Sequence, residues 1–220
     1  MRLGRDLKLV MIGDSITDCG RARPVGEGEG LGNGYVAQVN AWLTAAYPER
    51  RIRVVNTGIS GNTVRDLRAR WQSDVLDLRP DWLSVMIGIN DVWRHFDRPL
   101  MREHHVPIEE YATTLGDLVA KARPMLQGLV LMTPFFIEPH RADPMRAQMD
   151  RYGDVVRRLA AAQNAVFVDT QAAFDQVLAH LYPGALAADR VHPNQSGHMV
   201  LARAFLAAID ALTTAPGAQP

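Results

Sequence analysis

The sequence predicts an α/β protein, a three-layer α/β/α sandwich built around a five-stranded parallel sheet. Apolar runs of strand length alternate with stretches of helical periodicity, which is typical of βα units. Each run is followed by polar or glycine-bearing residues. The 220 residues are enough for one full core and too few for two comfortable ones. A parallel sheet is buried on both faces, so helices must cover it from either side.

Five apolar runs are predicted as strands: residues 9–12, 52–56, 82–87, 129–133 and 165–168. Apolar residues at helical spacing predict the helices: residues 35–47, 64–78, 111–126, 143–162, 171–181 and 195–212. Thr63 and Asp66 have the spacing of a capping box, so the second helix is predicted to begin there. Right-handed crossovers favour a doubly wound, flavodoxin-like strand order.

We expect a single domain over residues 1–213 and a disordered tail over 214–220. The formal net charge is zero, which argues against nucleic acid or an anionic membrane surface as a partner. No apolar run approaches the roughly 20 residues that span a bilayer, and no signal peptide precedes the first strand. The single cysteine, Cys19, cannot form an intrachain disulfide, and we interpret it as a small buried side chain. A cytoplasmic location is the expectation.

Two segments lack apolar periodicity. Residues 20–34 are rich in glycine and are predicted to form a surface loop, either simply mobile, or a wall of an active-site mouth or a subunit contact. Residues 95–107 include Glu103, His104 and His105, which raise the question of a metal site. Their spacing matches no common ligand pattern, so we expect no metal there and interpret the segment as a pocket rim or an oligomer contact.

A nucleophile, a base and a carboxylate are supplied by the two ends of the chain. Ser15 follows the first predicted strand, with Asp14 beside it, at the sheet edge where α/β proteins place their chemistry. Taken alone, this stretch is also typical of a turn or a helix cap. Asp189 and His192 are three residues apart, so the carboxylate can accept from Nδ1 while Nε2 faces Ser15. Pro193 is well suited to the start of the last helix, so His192 is expected just outside that start.

Two further stretches offer hydrogen-bond donors for a negatively charged oxygen. Gly61 follows the second strand, and the absence of Cβ lets a substrate oxygen approach its amide, although a turn glycine would look the same. Asn90 follows the third strand at its carboxyl edge and can direct its side-chain NH₂ into the crevice. Asp91 is expected to brace the loop that follows the third strand. Trp93, in the same loop, is expected to stack on a sugar or to fill the rim of the crevice.

Taken in chain order, the four stretches that contain Ser15, Gly61, Asn90 and the Asp189–His192 pair resemble the motif blocks of the SGNH hydrolase superfamily, the GDSL-type esterases and lipases. The longer runs IGDSITDCGRAR, NTGISGNTVRDL, MIGINDVW and DRVHPNQSGH resemble bacterial intracellular acetylxylan esterases. The resemblance implies acyl transfer through a serine ester, with Ser15, His192 and Asp189 as catalytic triad. It implies an oxyanion hole from the amides of Ser15 and Gly61 and the side chain of Asn90.

The resemblance also implies an acetylated sugar, such as an acetylated xylo-oligosaccharide, as substrate, no cofactor, and assembly into a homo-oligomer. Supporting or substrate-binding roles are expected for Asp14, Asp91, Trp93, Tyr182 and Arg190. Residues 95–107 and the helix at 143–162 are candidate contacts between subunits. Two alternatives are a lysophospholipase or thioesterase on the same scaffold, and a carbohydrate-binding protein without catalysis.

Overall fold

A computed structural model describes residues 1–212, and a sheet of six strands forms its centre. The strands are β1 (Lys8–Gly13), β2 (Gly26–Glu27), β3 (Arg53–Asn56), β4 (Trp82–Met86), β5 (Gly128–Met132) and β6 (Val166–Val168). Their order in the sheet is β2-β3-β1-β4-β5-β6. All neighbours are parallel except β2, which pairs antiparallel with β3.

The α/β class and the flavodoxin-like order of the parallel strands are confirmed, but the predicted number of strands is wrong by one. The additional strand, β2, has two residues and pairs Gly26 with Asn56 at the sheet edge. It lies inside the glycine-rich segment that was predicted to be a loop, which also contains the 3₁₀ turn Gly28–Leu31. Two residues give no periodicity, so the pairing has no local signal in the sequence.

Helices cover both faces of the sheet in residues 1–212. They are α1 (Ser15–Asp18), α2 (Tyr35–Ala46), α3 (Val64–Trp71), α4 (Ile89–Asp97), α5 (Ile108–Ala122), α6 (Pro144–Ala162), α7 (Thr170–Leu178) and α8 (Gln195–Ala208). Helices α2 and α7 pack on α8, whereas α5 packs on α3 and α6, and α4 packs on α6. The core lies between these two groups and the sheet, where β4 and β5 are buried at every residue.

Two local predictions need correction. Residues 89–97, predicted as a loop, form helix α4, because Gly88 takes a φ of +131° and turns the chain directly into a helix. Helix α8 begins at Gln195, as predicted, with Asn194 as its cap and Pro193 just ahead of it, but it ends at Ala208 and not at residue 212. The domain boundary at residue 213 stays a prediction, and the predicted tail, 214–220, lies outside the described residues.

Candidate active site

Ser15 is the first residue of α1, directly beyond the carboxyl end of β1. Asp14 caps this helix, because its side chain accepts a hydrogen bond of 3.0 Å from the amide of Ile16. Gly13, the last residue of β1, leaves no room for a side chain, since a Cβ there would lie 2.3 Å from the carbonyl oxygen of Met86. The strand end and the cap therefore fix the backbone that presents the Ser15 hydroxyl.

The structure brings Ser15, His192 and Asp189 together into one chain of hydrogen bonds. Ser15 Oγ lies 3.1 Å from His192 Nε2, and His192 Nδ1 lies 2.6 Å from Asp189 Oδ2. The other carboxylate oxygen of Asp189 accepts from the amides of Val191 at 3.0 Å and His192 at 2.8 Å. This arrangement places the Nδ1 proton of His192 on the side of Asp189 and leaves Nε2 to accept from Ser15.

Hydrogen bonding keeps Asp189 ionised. Partial burial by itself raises the pKa of Asp189. The hydrogen bonds from the His192 ring and from the amides of His192 and Val191 outweigh burial and lower the pKa of Asp189 below its ordinary value. A carboxylate in this state can stabilise an imidazolium beside it.

The loop after β3 contacts both the start of α4 and the end of β1. Asn90 is buried, and its Nδ2 donates a hydrogen bond of 3.0 Å to the carbonyl of Asn62. Gly61, immediately before Asn62, has a φ of +82°, in the region that favours glycine. The amide of Ile59 donates to the carbonyl of Gly13 at 3.1 Å, so this loop is fastened to the end of β1.

Arg70, which sequence reasoning missed, ties these segments together from α3. Its guanidinium donates to the carbonyl of Gly13 at 2.9 Å, to the carbonyl of Thr57 at 2.5 Å and to Asn62 Oδ1 at 2.7 Å. A half-buried arginine therefore holds the end of β1 and the loop after β3 at a fixed separation.

Two carboxyl groups are buried directly beside site residues in the sequence: Asp14 precedes Ser15, and Asp91 follows Asn90. Burial raises the pKa of each to about 7, and the proximity of the Asp14 charge contributes to the shift at Asp91. Asp91 Oδ1 accepts from the amide of Val64 at 3.0 Å and so joins α4 to the start of α3. Asp91 Oδ2 has no hydrogen-bond partner among residues 1–212.

The other predicted supporting residues lie at different distances from this cluster. The rings of Trp93 and His192 make a T-shaped contact, with centroids 5.8 Å apart and an angle of 64° between their planes. Arg190 has a φ of +62°, and its side chain pairs with Glu138 at 2.5 Å. Arg190 thus fastens the Asp189–His192 segment to the loop after β5. Tyr182 is 80% exposed, ahead of the 3₁₀ turn Pro183–Ala185.

A cleft of about 340 Å³ opens beside Ser15. It is lined by Ser15, Ile16, Cys19, Asn33, His192, Pro193, Asn194, Gln195 and His198. His198 was not singled out from the sequence, although it ends the last of the four runs. Its Nδ1 accepts from the amide of Tyr35 at 3.2 Å, and its Nε2 lies 3.2 Å from Cys19 Sγ.

Burial determines the protonation state of two side chains that line this cleft, His198 and Cys19. Burial lowers the pKa of His198 to about 4 and raises the pKa of Cys19 to about 12. The imidazole is therefore neutral and the thiol protonated at neutral pH. Cys19 is half-buried and lines the cleft, so the prediction of a buried side chain is confirmed only in part.

His95, on α4, and His105, in the segment after α4, contact each other and the backbone. The rings of His95 and His105 stack with centroids 4.4 Å apart, and His105 Nε2 lies 3.0 Å from the carbonyl of Arg98. Within residues 1–212, no group of three or more His, Cys, Asp or Glu side chains is arranged to hold a metal ion. In the same range, no helix combines the length and apolar character needed to cross a membrane.

A parallel sheet that carries a hydrogen-bonded serine, histidine and aspartate at its carboxyl edge has the architecture of an α/β serine hydrolase. Residues 11–200 match the model of the GDSL-like Lipase/Acylhydrolase family, and the chain belongs to this family. The resemblance inferred from the four sequence runs is therefore confirmed. The protein is a carboxylic ester hydrolase.

The chain is similar to an acetylxylan esterase of Geobacillus stearothermophilus, with 62% identity over 94% of this chain and 95% of the relative. The crystal structure of that esterase superposes with a TM-score of 0.97, at 59% identity, covering 98% of this chain and 100% of the other. Solved structures of it include catalytic mutants with alanine in place of a serine, an aspartate and a histidine. An α/β hydrolase enzyme from the metagenome of Lake Arreo, Spain, matches with a TM-score of 0.95, at 55% identity, covering 97% and 100% of the two chains.

Proposed function

We propose that this chain is a serine esterase that removes acetyl groups from acetylated xylo-oligosaccharides or related sugars. The observation that carries the proposal is the hydrogen-bonded chain from Ser15 Oγ to His192 Nε2 at 3.1 Å and from His192 Nδ1 to Asp189 Oδ2 at 2.6 Å. The similarity to an acetylxylan esterase over nearly the whole chain supports the substrate class.

In the first half of the reaction, Ser15 Oγ attacks the carbonyl carbon of the acetyl ester while His192 Nε2 takes its proton. Asp189 holds the ring in the required tautomer and stabilises the imidazolium that forms. The carbonyl oxygen becomes negatively charged in the tetrahedral intermediate. It accepts hydrogen bonds from the amides of Ser15 and Gly61 and from Asn90 Nδ2.

In the second half, the acyl-enzyme forms and is hydrolysed. The imidazolium of His192 gives its proton to the departing sugar oxygen, which leaves an acetyl ester on Ser15. A water molecule then attacks this ester and gives its proton to His192. Collapse of the second tetrahedral intermediate returns the proton from His192 to Ser15 and releases acetic acid, which ionises to acetate in solution.

Trp93 is proposed to contact the sugar. The centroid of its ring lies 5.8 Å from that of His192, the side chain that gives its proton to the leaving group. An aromatic ring near that side chain can stack on a pyranose ring. Arg190 is proposed to support the base, because its ion pair with Glu138 holds the Asp189–His192 segment.

The proposal is tested with purified Ser15→Ala. Turnover of an acetyl ester should fall by a factor on the order of 10⁴ or more. An organophosphonate should label the unmodified protein at one site per chain and leave Ser15→Ala unlabelled. Unchanged hydrolysis by Ser15→Ala would contradict the proposal, and a chain that takes up no label would indicate a binding protein without catalysis.

Substrate class is tested with acetylated xylo-oligosaccharides, other acetylated sugars, and acetyl and octanoyl esters of one alcohol. We expect the acetylated xylo-oligosaccharides to have the highest kcat/KM. A preference for octanoyl over acetyl esters would favour a lysophospholipase or thioesterase.

Self-association and a cytoplasmic location stay predictions. Light scattering at micromolar concentration tests the first, since a monomer would contradict it.

A further inference from the structure

The amide of Asn90 has a hydrogen-bond partner at each of its polar atoms. Oδ1 lies 2.8 Å from a guanidinium nitrogen of Arg94, and Nδ2 lies 3.0 Å from the carbonyl oxygen of Asn62. Arginine can only donate and a carbonyl can only accept, so the atom facing Arg94 has to be the oxygen. Nδ2 carries two hydrogens, and the carbonyl of Asn62 takes one. The second remains for a substrate oxygen.

Arg94 is itself firmly held. It lies one turn after Asn90 on α4, and its side chain is only 16% exposed. Its guanidinium also pairs with Asp97 and lies 5.0 Å from the centroid of the Trp93 ring. Hydrogen bonds from a charged donor are roughly twice as strong as neutral ones, and a site largely removed from water strengthens them further.

We propose that Arg94 is a positioning residue for the oxyanion hole. It keeps the Asn90 amide turned so that Nδ2 faces the reacting carbonyl, and it polarises that amide so that its N–H is a stronger donor. The inference rests on the proposed function, in which Asn90 donates to the tetrahedral oxygen. Arg94 acts through Asn90 and has no contact with the substrate in this role. Because negative charge develops only in the transition state, the effect belongs to kcat and not to KM.

The first test compares kcat and KM for an acetyl ester in Arg94→Met and Asn90→Ala. Loss of a whole oxyanion donor costs about 10²–10³ in kcat, and we expect Arg94→Met to cost about tenfold with KM changed less than about threefold. Arg68→Met, the same change at an exposed arginine of α3, should leave both constants unchanged. A kcat for Arg94→Met equal to that of the unmodified enzyme overturns the inference.

The decisive test is a double-mutant cycle. If Arg94 acts through Asn90, the variant Asn90→Ala/Arg94→Met should have the kcat of Asn90→Ala alone to within about twofold. A further tenfold loss in that background would overturn the inference, since Arg94 would then act independently of the amide. If Asn90→Ala itself keeps full kcat, the proposed role of Asn90 fails, and that outcome is separate from a failure at Arg94.

Two milder variants keep the test sound where Arg94→Met lowers the yield of folded protein. Arg94→Lys retains the charge and one donor, and Arg94→Gln retains a neutral donor. We expect kcat to decrease in the order Arg, Lys, Gln, Met, with circular dichroism and Tm recorded for each variant. An order that follows Tm and not donor charge would contradict a role in positioning the amide.

Discussion

The carboxylate of Asp189 has two separate tasks, which its two oxygens divide between them. Oδ1 accepts from backbone amides and shapes the turn, whereas Oδ2 faces the ring of His192. An amide in place of the carboxylate can keep the first task. It cannot keep the second, because its NH₂ would donate to Nδ1 and force the proton of the neutral ring onto Nε2.

Asp189→Asn should therefore fold normally and lose activity. We expect kcat for an acetyl ester to fall by about 10⁴, because the ring is held in a tautomer that cannot accept from Ser15. Glu138→Gln makes the same carboxylate-to-amide change in a neighbouring ion pair and should cost less than about tenfold. Steady-state kinetics with circular dichroism as folding control measures both. Near-normal turnover in Asp189→Asn would rule out the assigned tautomer.

Motif residues were the part of the site that the sequence could predict. Ser15, Asp189 and His192 stand in short runs whose spacing carries the chemistry, and the structure brings all three together. Arg70 and Arg94 could not be found in this way. An arginine is common on any helix surface, and the bond from Arg70 to the carbonyl of Gly13 joins residues 57 positions apart.

The same distinction holds for the elements. Long periodic segments such as α6 were predicted to within a residue of Pro144–Ala162. Helix α4 was missed because no polar linker separates it from β4, and a glycine with a φ of +131° is what starts it. Strand β2 exists only because β3 offers a free edge. Local periodicity predicts an element only where the element forms independently of distant parts of the chain. Elements that form because a segment far away in the sequence packs against them were therefore not predicted.

The loop after β3 packs against α1 through backbone contact at Gly58. A Cβ at this position would lie 2.4 Å from the amide nitrogen of Asp18 and 2.7 Å from the carbonyl carbon of Thr17. Backbone atoms cannot move aside as a flexible side chain would. The approach of the loop to the nucleophile helix therefore requires glycine.

Gly58→Ala should destabilise the protein by about 1–3 kcal/mol, the usual cost of overpacking, and lower kcat as the loop moves away from Ser15. Gly116→Ala serves as its control. Gly116 lies on α5 with open space around a new Cβ, so alanine should stabilise the protein by about 0.5–1 kcal/mol. Urea unfolding measures both changes. Equal effects of the two substitutions would mean that Gly58 has no packing role.

The buried carboxyl groups make the stability of the whole protein depend on pH. Burial raises the pKa of Asp91 to about 7, whereas an aspartate in the unfolded chain titrates near the ordinary value of about 4. Between these two values the folded state binds more protons than the unfolded state. The free energy of unfolding contributed by Asp91 is thus fully present below pH ~4 and is lost as pH rises to ~7.

Asp91→Asn removes this dependence and keeps the acceptor that bonds the amide of Val64. The Tm of Asp91→Asn minus that of the unmodified protein should be higher at pH 8 than at pH 4. The increase should be roughly 2–4 °C for each kcal/mol by which the unmodified protein's free energy of unfolding falls through Asp91 over this range. Asp117→Asn, at an exposed carboxylate of α5, corrects for the change in net charge. Scanning calorimetry at both pH values decides the matter. A Tm difference for Asp91→Asn that is the same at pH 4 and pH 8 would show that this carboxyl group titrates alike in the folded and unfolded states.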